Sequence, residues 1–245
     1  MRIIAGRYRS RKLLSPPDRS PTRPLPDRVR ESIFNLLRGH FDDAVVLDGF
    51  AGVGTFGLEA ASRGASRVIL VERDRRVAGV LQQNIGLLKA GDCAEVVIGD
   101  ALGPACLARC PTPIKIAFLD PPYDLVRTPE GWERVRGQMA RIVALLSDDG
   151  YAMVRTPWPF IRREETDVPV RLRHEGENKG GHVVITDLDD LDDKAVDKLE
   201  AELHGSARGR PVDIDRSIAG AIGPETHVYK STAVHLYMRR RGEAP

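Results

Sequence analysis

No apolar stretch in this chain approaches the roughly 20 residues needed to span a bilayer. The basic, polar start Met1-Arg2-Ile3-Ile4-Ala5-Gly6-Arg7 also lacks the apolar centre of a signal peptide. A cytoplasmic location is therefore expected. Cysteine is scarce: Cys93, Cys106 and Cys110 are odd in number and form no Cys-x-x-Cys pair, and the six histidines are scattered. Neither a disulfide framework nor a zinc site is indicated, so the thiols read as reduced packing residues and no metal is expected. No internal repeat is visible. With 245 residues, 42% hydrophobic and 29% charged, the chain suits one α/β domain with a good core plus an appendage.

The net charge is only +2, but it is unevenly spread. Residues 1–30 hold nine Arg or Lys against Asp18 and Asp27, a balance of +7. Residues 161–226 hold 16 acidic and 10 basic side chains, a balance of −6. A segment as basic as the first, with Tyr8 among Arg7, Arg9, Arg11, Lys12 and Arg23, can neutralise several phosphates and bind a polyanion in a salt-dependent way. A solvated charged face is the plain alternative.

Four segments are expected. Residues 1–26 form a basic arm, with a hairpin around Gly6 and a Pro-rich connector after it. Residues 27–160 alternate helices and continuous apolar strands, starting with a helix capped by Asp27, which implies a parallel sheet covered on both faces. Residues 161–226 break the rhythm and read as an acidic insertion, with a strand at 182–186 and a helix near 194–203. Residues 227–245 close the core with the alternating strand Thr232-Ala233-Val234-His235-Leu236-Tyr237 and a basic tail.

The chemistry-bearing residues cluster at strand ends. The first strand runs into Asp48-Gly49-Phe50-Ala51-Gly52-Val53-Gly54-Thr55-Phe56-Gly57, whose glycines allow a tight turn and let a ligand lie against bare peptide at a helix start. Gly52, Gly54 and Gly57 satisfy G-x-G-x-x-G, and Glu72 ends the next strand where it can accept hydrogen bonds from a ribose. Asp48 would repel a pyrophosphate but suits the cationic aminoacyl part of S-adenosylmethionine. Asp100, followed by Ala101, can accept from an adenine amine. After the fourth strand, Asp120-Pro121-Pro122-Tyr123 offers a carboxylate, a freed carbonyl and a stacking ring, a combination suited to a flat base bearing an exocyclic amine. Each acid alone is an ordinary cap or turn residue. Four in register at the carboxyl ends of successive strands point to one crevice.

This order of features resembles the class I S-adenosylmethionine-dependent methyltransferases. Within them, Gly6-Arg7 through Arg11-Lys12-Leu13, Thr22-Arg23-Pro24, Asp27-Arg28-Val29-Arg30-Glu31 and Phe34-Asn35 are similar to the start of the RsmD family, which methylates a guanine N2 of 16S ribosomal RNA. The resemblance covers residues 1–158 and resumes at 228–238. It implies a Rossmann-like, mostly parallel seven-stranded sheet with helices on both faces and a monomeric enzyme acting on small-subunit ribosomal RNA or the assembling 30S particle. It also implies that Asp48, Phe50, Gly52 and Gly54 line the methionine part of the cofactor, Glu72 the ribose, Asp100 and Ala101 the adenine, and Asp120 to Tyr123 the base. Gly49 and Val53 depart from the family pattern, which has a larger apolar residue and a Ser or Thr there. Two rival readings are an adenine-N6 DNA methyltransferase and a noncatalytic RNA-binding assembly factor of the same fold.

Overall fold

The computed structural model describes residues 1–15, 25–164 and 210–242. Arg23 and the elements expected at 182–186 and 194–203 lie outside the described residues. The chain forms two compact units, Met1–Phe160 with Asp215–Pro245, and Ile161–Ile214. The sequence pattern placed the return to the core at residue 227, whereas the larger unit resumes at Asp215.

In the larger unit, apolar runs become β1 (Val45–Asp48), β2 (Arg67–Glu72), β3 (Ala94–Ile98), β4 (Ile114–Leu119) and β5 (Leu146–Pro157). Between and before them lie α1 (Asp27–Leu36), α2 (Gly57–Ser62), α3 (Arg75–Leu88), α4 (Ala105–Ala108), α5 (Tyr123–Arg127) and α6 (Pro129–Ala144). In the smaller unit, β6 (Ile161–Glu164) pairs antiparallel with β7 (Arg210–Asp213). Two further strands of the larger unit, β8 (Ala221–Tyr229) and β9 (Thr232–Arg239), complete a seven-stranded sheet of order β3-β2-β1-β4-β5-β9-β8. The first five strands run parallel, while β9 joins β5, and β8 joins β9, antiparallel. Consecutive residues Ile116 to Leu119 of β4 are all buried. Since neighbours on a strand face opposite ways, both faces of the sheet are covered there.

Local chemistry fixes the element ends. The Asp74 carboxylate accepts from the amides of Arg76 and Val77 and caps α3, which stops at Lys89 in a left-handed conformation. Thr128 caps α6 through Gly131 N–H, with Pro129 in the first turn. Asp27 does not cap α1. Pro26 precedes that helix, and Asp27 instead accepts from buried Arg30 at 3.0 Å. Four of the six phenylalanines, Phe34, Phe41, Phe56 and Phe118, form one aromatic cluster with ring centroids 5.0–6.0 Å apart. It ties α1, the start of α2 and the end of β4 together.

Residues 1–14 fold back on themselves and dock on α2. Arg2 bridges Lys12, and Ile3 N–H donates to Arg11 O at 2.9 Å. Buried Glu59 accepts from Ile4 and Ala5 N–H at 2.6 and 3.0 Å and is neutralised by Arg63 at 2.8 Å. A Cβ at Gly6 would sit 1.8 Å from the Ser62 carbonyl oxygen, so only glycine allows this approach. Among the described residues no helix is long and apolar enough to cross a membrane.

Candidate active site

In the order β3-β2-β1-β4-β5 the order of connection reverses between the parallel neighbours β1 and β4, and ligands of open α/β sheets bind beyond the carboxyl ends at such a point. Asp48 ends β1 and pairs with Phe118 of β4, so Asp120 lies just past the same level. Asp48 is 1% exposed. Its Oδ2 accepts from Gly57 N–H at 2.8 Å, while Oδ1 is buried without a partner. Burial, only partly offset by the Gly57 amide and reinforced by the nearby Asp120 and Glu72 carboxylates, pushes the Asp48 pKa up to about 7. A buried carboxylate oxygen without a donor fits a cationic group that arrives with the ligand.

The three glycines of the loop answer different local needs. Gly52 has φ +54° with nothing within 4 Å of where a Cβ would be, and its N–H donates to Glu72 Oε2 at 3.0 Å. Gly54 has φ +93°, and a Cβ there would strike Leu81 and Leu58 at 2.6 and 2.7 Å. At Gly57 a Cβ would meet Leu70 at 2.6 Å, which explains the third glycine of the pattern as close helix-to-strand packing. Glu72 also accepts from Asp74 N–H at 2.8 Å, so its carboxylate shapes the loop and keeps further lone pairs for a hydroxyl. Phe50 is half-buried and Ala101 buried. Asp100 is exposed and already engaged, by Leu102 N–H at 2.9 Å and by Arg134 at 3.2 Å. An exposed pair of that kind is worth little and yields readily to a ligand.

Both departures from the expected loop pattern, Gly49 and Val53, are buried. A Cβ at Gly49 would meet Leu119 and the Phe118 carbonyl at 3.4 Å, ordinary contact distance. Val53 is buried, and its carbonyl accepts from Asn84 Nδ2 at 3.0 Å. Asn84, fully buried on α3, also exchanges hydrogen bonds with both backbone groups of Leu14. The docked N-terminal segment and the glycine loop therefore share one side chain that the sequence reading passed over.

At the acceptor end, two residues the motif did not reveal join the turn, Arg155 at Asp120 and Tyr123, and Thr232 at Tyr123. Arg155 of β5 donates through Nε to Asp120 Oδ1 at 2.5 Å and through Nη1 to the Tyr123 hydroxyl at 3.0 Å. Its guanidinium also lies 4.9 Å from the Tyr123 ring centroid. The Tyr123 hydroxyl in turn donates to Thr232 Oγ1 of β9 at 2.7 Å. Burial raises the Asp120 pKa, with Arg155 opposing that rise through charge and hydrogen bond. Pro121 is buried and Pro122 precedes α5, whose Leu125 N–H takes the Pro122 carbonyl. Among the described residues no donor takes the Pro121 carbonyl or Asp120 Oδ2. A signal for Arg155 was present, a lone cation near the end of the apolar strand Tyr151-Ala152-Met153-Val154.

The basic residues of the N-terminal segment divide. Arg7 is drawn to Cys93 Sγ at 3.2 Å and Asp92 at 3.6 Å, and Arg11 donates to the Leu87 carbonyl at 2.9 Å. Arg9 and Lys12 are exposed, and their side chains have no partner among the described residues. Among the described residues there is also no group of three His, Cys, Asp or Glu able to hold a metal.

Comparison with known proteins places this geometry in context. The family model described as Conserved hypothetical protein 95 matches residues 1–167. The chain is 43% identical over 151 residues to the ribosomal RNA small subunit methyltransferase D of Escherichia coli, covering 62% of this chain and 69% of that one. It is 40% identical over 124 residues to the protein of the same name from Haemophilus influenzae, covering 50% and 64%. The solved structure of the Escherichia coli protein yhhF shares 28% identity with a TM-score of 0.62 and covers 99% of both chains.

Proposed function

The chain belongs to the ribosomal RNA small subunit methyltransferase D family, and from that premise we propose that it methylates the exocyclic N2 amine of a guanine in small-subunit ribosomal RNA. The observation that carries the reading is a pair of neighbouring strand ends. One presents a buried carboxylate oxygen that lacks a cation, Asp48 Oδ1, and the other a carboxylate and carbonyl free to accept from an amine, Asp120 Oδ2 and Pro121 O. Guanine rather than adenine is supported by the family membership.

S-adenosylmethionine, when bound, supplies an electrophilic methyl group on a sulfonium centre. Asp48 would face its ammonium, Phe50, Gly52 and Gly54 its methionine part, Glu72 its ribose, and Asp100 with Ala101 its adenine. Guanine N2 is a poor nucleophile because its lone pair is delocalised into the ring. Asp120 Oδ2 and the Pro121 carbonyl accept from the amine and favour a pyramidal nitrogen with its lone pair toward the methyl carbon. Methyl transfer to the amine would leave the cofactor as a neutral thioether, and Asp120 would receive the amine's surplus proton along its hydrogen bond. Alignment of two bound reactants supplies much of the rate. The base must leave its stack at a cost of a few kcal/mol, and stacking on Tyr123 offsets part of it. Arg9 and Lys12 offer phosphate contacts, so RNA binding weakens with salt. The enzyme acts as a cytoplasmic monomer.

The test is incubation with methyl-labelled S-adenosylmethionine and, separately, small-subunit RNA, 30S subunits and DNA, followed by nucleoside mass spectrometry. N2-methylguanosine in RNA is the expected product. N6-methyladenine in DNA would move the chain to the DNA enzymes, and no calorimetric binding of S-adenosylmethionine would leave a noncatalytic RNA-binding scaffold.

A further inference from the structure

Arg155 lies in β5 between buried Val154 and buried Thr156, one position past the Leu119–Val154 pair that joins β4 to β5. That register sets it opposite Asp120. Its side chain is 12% exposed, and its ion pair, hydrogen bonds and ring contact all end on Asp120 and Tyr123 of the Asp-Pro-Pro-Tyr turn. Stability does not explain such an arrangement. A buried ion pair gives back in attraction little more than it loses in desolvation, and an apolar pair of similar volume serves a core as well. The fork of the guanidinium does something an apolar residue cannot, because it reaches two different groups at once.

We propose that Arg155 is a positioning residue of the acceptor site, holding the Asp120 carboxylate charged through Oδ1, with Oδ2 left for the amine, and holding Tyr123 as the stacking surface. The inference rests on the methyl-transfer reading above. Groups facing Asp120 come from every neighbouring element. Arg155 approaches from β5 and Tyr123 from α5, while Asp48 lies across on β1 with Glu72 of β2 beyond it. Thr232 of β9 touches Tyr123, not Asp120. Arg127 of α5 lies 5.8 Å from the Tyr123 ring centroid and pairs loosely with Asp124 at 4.0 Å. Arg155 is thus the cation bonded to Asp120, and burial is what opposes the carboxyl's ionisation.

Burial raises the Asp120 pKa and Arg155 lowers it, so removing the guanidinium lets it rise further and leaves the carboxylate protonated over a wider acidic range. In Arg155→Gln, the acid limb of the kcat/KM profile for RNA methylation should move to higher pH by roughly one to three pH units, with S-adenosylmethionine affinity within about twofold of the parent. Arg155→Lys keeps the charge but not the fork. Its acid limb should stay close to that of the parent while KM for RNA rises through the released Tyr123. A uniform loss at every pH in Arg155→Gln overturns the proposal, since a merely structural role predicts that result. Carbon-13 NMR titration of the Asp120 carboxyl in the full-length parent and Arg155→Gln chains gives a readout independent of activity. An upward move in the variant supports the role, and an unchanged titration overturns it. Absence of methylation by the parent on any small-subunit substrate, with the Asp120 titration still moving, would sink the proposed function alone.

Discussion

Asp48 and Asp120 stand at the ends of adjacent parallel strands, and burial raises the pKa of both, yet their surroundings differ in one respect. Asp120 has a guanidinium bonded to it. Asp48 has only a backbone amide, and one of its oxygens is left without any donor. A protein that leaves one buried carboxylate short of a cation and supplies the other with one is prepared for two different ligands. The first should bring its own positive charge, as a sulfonium amino acid does. The second should be neutral and offer N–H donors, as a nucleobase amine does.

The largest expected break in that contrast is Asp120→Ala. Loss of the amine's acceptor should lower RNA methylation by roughly a hundredfold or more through misalignment, while calorimetric affinity for S-adenosylmethionine changes by less than about twofold. If cofactor affinity collapses as well, the two carboxylates serve one ligand and the contrast is lost.

Asp48→Asn should act on the other side. Removing the charge that faces the ligand's ammonium should weaken S-adenosylmethionine by roughly thirtyfold or more, the lower end of what losing one partner of a buried charge pair costs. The same substitution should stabilise the ligand-free protein. Because the folded-state pKa of Asp48 is raised to about 7, its contribution to stability is fully present below the ordinary carboxylate range and is lost as pH rises through about 7. Asparagine removes that loss, so its thermal midpoint should exceed the parent's at pH 8, by no more than about 4 kcal/mol in free energy, and match it near pH 4. In the parent, S-adenosylmethionine affinity should fall by about tenfold per pH unit below 7 and level off above it.

The smallest effect should come from residues that touch neither carboxylate. Joint replacement of Arg9 and Lys12 by Ala should weaken RNA binding and make the plot of log affinity against log salt shallower by about one to two. Filter-binding at several salt concentrations reads it out. An unchanged slope would mean that these exposed cations do not contact phosphate.

Much of the fold was legible because each central strand is a short apolar run ending in an acid or a glycine, as in Val45-Val46-Leu47-Asp48 and Ile116-Ala117-Phe118-Leu119-Asp120. Strands covered on both faces leave that mark. The sheet edge left none. β8 reads Ala-Ile-Gly-Pro-Glu-Thr-His-Val-Tyr and exposes Ile222 and Val228, so its first six residues, 221–226, read as the end of the acidic insertion. It joins the sheet through β9, where His235 is clasped by Thr156 and Thr226 hydroxyls at 2.9 Å, partners 79 and 9 residues away. Buried charges were equally silent. Glu59 and Arg30 look like solvated helix residues, and only the docking of residues 1–14 gives Glu59 its two amide donors and Arg30 the Arg2 carbonyl. The docking also turned the supposedly free cations Arg7 and Arg11 partly inward.

The sequence by itself determined the parallel sheet, the glycine loop and the acids at the strand ends, since these depend on residue type and on spacing within single strand-to-helix connections. Tertiary structure alone decided which acid receives a cation. Arg155 is 35 residues from Asp120, and Thr232 is 109 residues from Tyr123. Their meeting depends on β5 lying beside β4 and β9 beside β5, a matter of strand order that no local pattern encodes.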